Sequence, residues 1–244
     1  MKGRWFCLLK EELVKTSLLY DMHWWFLGKY KIVHKLIQKH VKVPYTPRVL
    51  DIGCGPAYFA RFYQYTGIDP NTEVNSSNII KARIEDVELE LTNKYDVILA
   101  LDVLEHLEDD KVILRYLQNN LKDNGIMIIT VPAHPWLFSE HDRTCGHYRR
   151  YTKKQLKELF RDFDCKIYYY NSLLFPVEVL YRLITKGKNN LKPVPTIFNS
   201  LLFFVLSLEY YLLPVLPVGL SILAVVKKKG GVQDERGNSN TSLQ

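Results

Sequence analysis

Two groups of residues in this 244-residue chain could do chemistry. The first is compact. Asp51 stands two residues before Gly53-Cys54-Gly55, and Asp69 follows 18 residues after Asp51. Two glycines this close let a chain turn sharply and let a ligand approach the backbone. An acid at the next strand end can accept hydrogen bonds from both hydroxyls of a ribose. Asp51, just before the turn, can face an ammonium group. A plain tight turn is the alternative, and the second acid argues against it. A dinucleotide fingerprint would need a third glycine where Tyr58 stands, so a nicotinamide oxidoreductase is disfavoured.

The second group is the segment 134–151, which holds His134, His141, His147, Cys145, two acids and three arginines. Four readings compete. The histidines could bind a metal, but their i, i+7, i+13 spacing fits no ligand pattern, so no metal is expected. Cys145 could be a nucleophile, though nothing requires one. The segment could be a hydrogen-bonded loop with no further role. Or it binds an acceptor, with Arg149 and Arg150 clamping an anionic group and His141 or His134 acting as base. The last reading is preferred, and the spacing does not choose between the two histidines.

These residues need elements to position them. Residues 48–52 read as a buried strand and 57–64 as a helix, followed by a second strand at 65–68. Residues 95–101 and 126–131 are further strands, with a helix over 109–121 and a turn at Asp123-Asn124-Gly125. Thr152 and Gln155 form a capping box that opens a helix over 153–161. Alternation of this kind predicts an α/β chain with a parallel sheet covered on both faces. The segment 134–151 then sits at the carboxyl edge, where such sheets bind ligands.

The run Val49 to Gly55, with Gly67-Ile68-Asp69, Tyr95 to Ile98, Leu101 to Leu107 and Thr130-Val131-Pro132, resembles the class I S-adenosylmethionine-dependent methyltransferases over about residues 45–170. The resemblance implies S-adenosylmethionine as cofactor and a doubly wound, Rossmann-like, mostly parallel seven-stranded sheet, whose strands six and seven would fit 165–170 and 220–227. Asp51, Gly53 and Gly55 would hold its amino-acid end, and Asp69 its ribose. The adenine would meet the Ile84 backbone and Glu85, although Arg83 stands where many relatives have an Asp. Leu101 and Asp102 would line the methionine end. Glu105 and His106 could join the site or serve as caps and polar surface. The methyl group is already activated, so in-line positioning supplies most of the effect.

The pattern His141-Asp142 through Gly146-His147 to Arg149-Arg150-Tyr151-Thr152 resembles a subgroup found with polysaccharide and cell-envelope biosynthesis. That subgroup also carries an N-terminal element like His23-Trp24-Trp25-Phe26, with Lys29 where an Arg is common. The resemblance implies a helical lid over 1–44 that brings Trp25 to the substrate. Core packing of these aromatics is the alternative.

Five segments follow: the lid 1–44, the cofactor domain 45–171, a hydrophobic helical insertion 172–219, a last strand 220–229 and a disordered tail 230–244. From Pro193 to Val226 the only charged group is Glu209. The insertion could be a buried cap, a transmembrane helix or a hairpin dipping into one leaflet. Glu209, Pro214 and Pro217 weaken the spanning reading. Lys186, Lys188, Lys192 and Lys227–Lys229 flank the segment, which suits an anchor on an anionic membrane.

The net charge of +7 hides an acidic middle. Residues 49–130 hold seven basic and fourteen acidic groups, net −7, and residues 1–48 hold ten and three, net +7. The basic ends flank apolar helices rather than a recognition module, so no nucleic acid is expected. Four cysteines without a C-x-x-C pair and no visible secretory signal predict a cytoplasmic protein, peripheral on the cytoplasmic face of a membrane. The expected function is methyl transfer to a membrane-associated or amphipathic acceptor, such as a lipid-linked saccharide or lipid hydroxyl. The alternatives are a soluble small-molecule or nucleic-acid methyltransferase, or a docking protein that kept only the fold.

Overall fold

A computed structural model describes residues 23–87, 94–185 and 195–229. The N-terminal part of the expected lid, the tail, and Lys186, Lys188 and Lys192 lie outside the described residues. The chain forms α1 (Trp24–His40), β1 (Arg48–Ile52), β2 (Gln64–Ile68), β3 (Ile79–Ile80), β4 (Tyr95–Leu101), α2 (Val112–Asn120) and β5 (Leu121–Pro132). It continues with α3 (Glu140–Thr144), α4 (Lys153–Leu159), β6 (Phe163–Tyr170), α5 (Phe175–Thr185), α6 (Thr196–Leu212) and β7 (Ser221–Lys228).

All seven strands join one sheet in the order β3-β2-β1-β4-β5-β7-β6. The first five are parallel, and β7 runs antiparallel to both β5 and β6. The chain leaves β1 toward β2 and returns to β4 on the other side. That reversal opens a crevice at the carboxyl ends of β1 and β4.

Strand side chains alternate between the two faces, and the burial follows that alternation. Leu50, Ile98, Met127 and Ala224 pack on one face with α2 and α4, through Ile113, Leu117 and Leu156. Val49, Val97, Ile128 and Val225 pack on the other with α1 and α6, through Ile32, Val33, Leu36 and Leu206. Helices on both faces explain why β1 and β4 are apolar almost throughout.

Several local expectations change. Residues 57–64 do not form an α-helix, only a 3-10 turn at Tyr58–Arg61. Too few residues separate the glycine turn from β2 for more. Asp123–Gly125 is not a hairpin turn but a bulge within β5: Tyr95 pairs with Leu121 and Val97 with Ile126. The Thr152–Gln155 capping box forms as expected, with the Gln155 N–H donating to the Thr152 hydroxyl at 3.2 Å.

Two helices lie between β6 and β7. The 17-residue α6 packs across α1, where a Cβ on Gly28 would stand 2.5 Å from Leu206. Glu209 is buried and accepts the Ser172 and Leu173 N–H groups, both at 2.8 Å. The one charge in the apolar stretch therefore ties α6 to the start of the α5 connection. Among the described residues no helix is long and apolar enough to cross a membrane.

Candidate active site

The glycine turn follows β1 directly. Gly53 and Gly55 have φ of +70° and +49°, a region that disfavours residues bearing a Cβ. A Cβ on Gly53 would also collide with Val103. The Gly53 N–H donates to the Ile68 carbonyl at 2.8 Å, and the Gly55 N–H donates to Asp69 Oδ2 at 2.9 Å. The turn therefore bends over the end of β2 and brings Asp69 against it. Asp69 Oδ1 accepts the Asn71 N–H at 2.7 Å. Each oxygen has a second lone pair for a ligand.

Asp51 is buried on β1, and Tyr65 donates to its Oδ2 at 2.8 Å. Burial raises its pKa to about 7, with the nearby Asp69 charge adding to the rise, while the Tyr65 bond and Lys29 oppose it. A carboxyl in that range gains from a cationic ligand.

Asp102 follows β4 with φ of +56°. It accepts the Lys29 ammonium at 2.6 Å and the Thr130 hydroxyl at 2.8 Å. Burial disfavours its ionised form, but the Lys29 charge and both hydrogen bonds outweigh that and lower its pKa. Lys29 itself is buried, lying over the Phe26 and Tyr30 rings. Sequence reasoning gave Lys29 no role. Its signal was its place on the apolar stripe of α1, between Phe26, Tyr30 and Val33.

The aromatics of α1 pack against one another and against the stretch after the glycine turn. Tyr30 stacks on Tyr58 at 4.2 Å, and Tyr58 directly follows the glycine turn. The Trp24 N–H donates to Asn199 Oδ1 of α6 at 2.9 Å, and the partly buried Trp25 meets the Trp24 ring edge to face. Beyond the short β3, the Ile84 carbonyl accepts the Tyr116 hydroxyl at 2.8 Å, while exposed Glu85 pairs with Arg83. Leu101 is buried at the end of β4.

The segment 134–151 folds around Asp142, a residue singled out for no role in the sequence. Arg150 grips both its oxygens, at 2.8 and 2.9 Å, and also donates to the Ala133 carbonyl. His147 Nδ1 lies 3.0 Å from Asp142 Oδ1. Burial works against ionisation of Asp142, but the hydrogen bonds from His147 and Arg150 hold its carboxyl well below the usual range. Arg150 is only 5% exposed, so the expected pair of acceptor-clamping arginines becomes one structural arginine and one at the surface. Arg149 is half-buried, donates to the Glu108 carbonyl and pairs with Asp110.

The two histidines expected to act as base separate. His134 places Nε2 3.0 Å from the Gly219 carbonyl and stacks on Tyr169, and burial lowers its pKa. His141 lies on α3 with Nε2 3.6 Å from Cys145 Sγ. His106 and His147 meet instead, ring centroids 4.6 Å apart, beside the buried Glu105. Both lie near Asp102, which follows the carboxyl end of β4. Part of His106 reaches solvent, yet the protein around its ring and the adjacent His147 pull its pKa down to about 4. Burial, with Asp102 nearby, pushes the Glu105 carboxyl well up.

The methyltransferase-domain family model matches residues 27–170, which span this crevice. The chain belongs to that family. Its domain is that of a class I S-adenosylmethionine-dependent methyltransferase. The domain is 28% identical over 148 residues to the ubiquinone biosynthesis O-methyltransferase of Rickettsia typhi, covering 50% of this chain and 60% of that protein. It is 30% identical over 149 residues to the protein of the same name from Rickettsia bellii, covering 50% and 61%. The match thus spans about three-fifths of these relatives, which are named for ubiquinone rather than polysaccharide biosynthesis. In fold the methyltransferase is similar to the plantazolicin methyltransferase BpumL solved with SAH, at TM-score 0.56 and 16% identity over 90% of both chains. It is also similar to a SAM-dependent methyltransferase from Archaeoglobus fulgidus, at TM-score 0.52 and 19% identity over 83% of this chain and 94% of that one.

Proposed function

We propose that this methyltransferase moves a methyl group from S-adenosylmethionine to a hydroxyl of an amphipathic acceptor that it meets at a membrane surface. Asp51, Gly53 and Gly55 hold the amino-acid end of the cofactor, Asp69 the ribose, the Ile84 backbone and Glu85 the adenine, and Leu101 and Asp102 the methionine end. Methylation at oxygen is in keeping with the name of the Rickettsia relatives. A lipid-borne hydroxyl or a lipid-linked saccharide are the acceptor classes that fit. In this reading Trp25, on α1, and Arg149, in the loop after α3, are the residues that meet it.

One observation carries the membrane half of this reading. Ile197, Leu201, Phe204, Leu208, Tyr211 and Val215 recur at helical spacing on and just beyond α6, and all are exposed. Val177, Leu180 and Ile184 repeat the pattern on α5. A cap on the fold accounts for the opposite side of α6, where Leu206 and Glu209 are buried, but leaves this stripe unexplained. Large exposed apolar patches mark membrane or partner sites. Lys227–Lys229 follow in sequence, which favours an anionic bilayer and a place on the cytoplasmic face.

The test is flotation of the full chain with anionic and neutral vesicles. Removing 172–219 would also strip Leu206 and Leu213 from the core, so Leu201→Glu with Phe204→Glu is the cleaner variant. Each such side chain is worth about 1.5–3 kcal/mol when taken out of water. The double variant should therefore lose more than about hundredfold in vesicle partitioning, with SAH binding intact. Equal flotation of both proteins would sink the membrane reading and leave α6 as a cap.

A further inference from the structure

We infer that Glu105, His106 and His147 form a binding site for one divalent first-row cation at the acceptor side of the crevice. A candidate ligand atom from each of the three residues lies within 4.8 Å of the others. The sequence placed three histidines in one loop, but these are not the groups that meet. His134 and His141 turn elsewhere, and His147 joins two residues from the connection after β4 instead.

Three features fit a cation rather than a chance cluster. The first is Glu105, 1% exposed, whose Oε2 has no hydrogen-bond partner among the described residues. A buried carboxylate left so is costly, and a cation removes the cost. The second is the tautomer of His147. Arg150 donates to both oxygens of Asp142, so the 3.0 Å contact is His147 Nδ1–H donating to a carboxyl already held as an acceptor. That leaves the Nε2 lone pair for a metal, the arrangement in which metal-bound histidines are usually held. The third is His106, which makes a hydrogen bond to the Gly146 backbone and meets the His147 ring edge to face with centroids 4.6 Å apart. Two imidazoles and a carboxylate suit Zn2+, Fe2+, Co2+ or Ni2+ better than Ca2+.

Three protein ligands leave a position open, as catalytic metal sites do. An acceptor hydroxyl bound there would lose its proton to water more easily. Its oxygen lone pair then forms the new O–CH3 bond while the S–CH3 bond of the sulfonium breaks and its electron pair stays on sulfur. The site thus supplies the activation that the sequence reading gave to His134 or His141. The methyl-transfer reading and the cation site stand or fall separately, because metal binding needs no acceptor.

The experiment is calorimetric titration of the chelator-treated full chain with Zn2+, with elemental analysis of the loaded protein. One ion per chain is expected. Glu105→Gln and His106→Asn should each weaken binding by more than about tenfold, while SAH titration reports that the variants remain folded. Because Glu105 is buried, the partly exposed His106 supplies the variant that keeps the fold. His141→Ala with Cys145→Ala should bind Zn2+ like the parent. Absence of saturable binding overturns the site. So does binding that survives His106→Asn but is lost with the His141 and Cys145 pair.

Discussion

Asp51 is a carboxyl whose burial raises its pKa into the neutral range. Its pKa of about 7 comes from burial, and the ammonium of the cofactor would favour the charged form. SAH affinity should therefore fall below about pH 7, approaching tenfold per unit, when followed by calorimetry. Asp51→Asn should flatten that slope. Asp142 behaves in the opposite sense. Its folded-state pKa is lowered, so its contribution to stability is fully present above pH about 4 and is lost as pH falls through the lowered value. Arg150→Met leaves that carboxylate buried without its main partner and should cost about 3–5 kcal/mol in urea unfolding. The same variant should blunt the acid limb of the stability curve. Gly53→Ala meets both a positive φ and Val103, so it should cost about 1–3 kcal/mol and abolish SAH binding.

At the scale of elements, α1 and α6 act as one layer over one face of the sheet. Gly28 lets them touch, and Lys29 one position later reaches Asp102 from the same helix. Gly28→Val should force the helices apart at a cost of about 1–3 kcal/mol, read as a fall in melting temperature. Because the helix that moves carries Lys29, SAH affinity should fall with it. Lys29→Met separates the two effects. It keeps the stem that packs on Phe26 but strands Asp102, so it should weaken cofactor binding with little change in the helix contact. The layer also links the apolar stripe of α6 to the crevice, through the Trp24 bond to Asn199. Anionic vesicles should then tighten SAH binding to the parent chain and leave the Leu201→Glu/Phe204→Glu variant unchanged.

For the whole molecule, net charge is a poor guide. The +7 total combines a −7 middle that builds the cofactor crevice with basic segments around it. Exposed charges are screened beyond about 10 Å at 0.1 M salt, while burial of an apolar stripe is not. Vesicle binding should thus weaken with added salt but persist, and co-sedimentation across a salt series will show whether a salt-resistant fraction remains.

Much of the fold was legible in the sequence because it rests on local signals. Apolar runs of strand length between helix patterns predicted β1, β2, β4 and β5, the two-residue β3 went unplaced, and the capping box at Thr152 formed where expected. The glycine turn with its two acids was equally visible, since such a turn depends on residues a few positions apart. Local signals failed where spacing was short or partners distant. The helix expected after Gly55 shrank to one 3-10 turn because β2 begins at Gln64. Arg150 looked available until the fold buried it against Asp142. Lys29 and Asp102 are 73 residues apart, and only the packing of α1 over the crevice joins them. The sequence by itself determined the alternating α/β class and the glycine turn, through hydrophobic period and backbone geometry, and pointed to the methyltransferase family through the resemblance of its motifs. The tertiary structure alone decided which arginine is buried, which side of α6 faces out and which histidines meet Glu105, because those depend on contacts between elements distant along the chain.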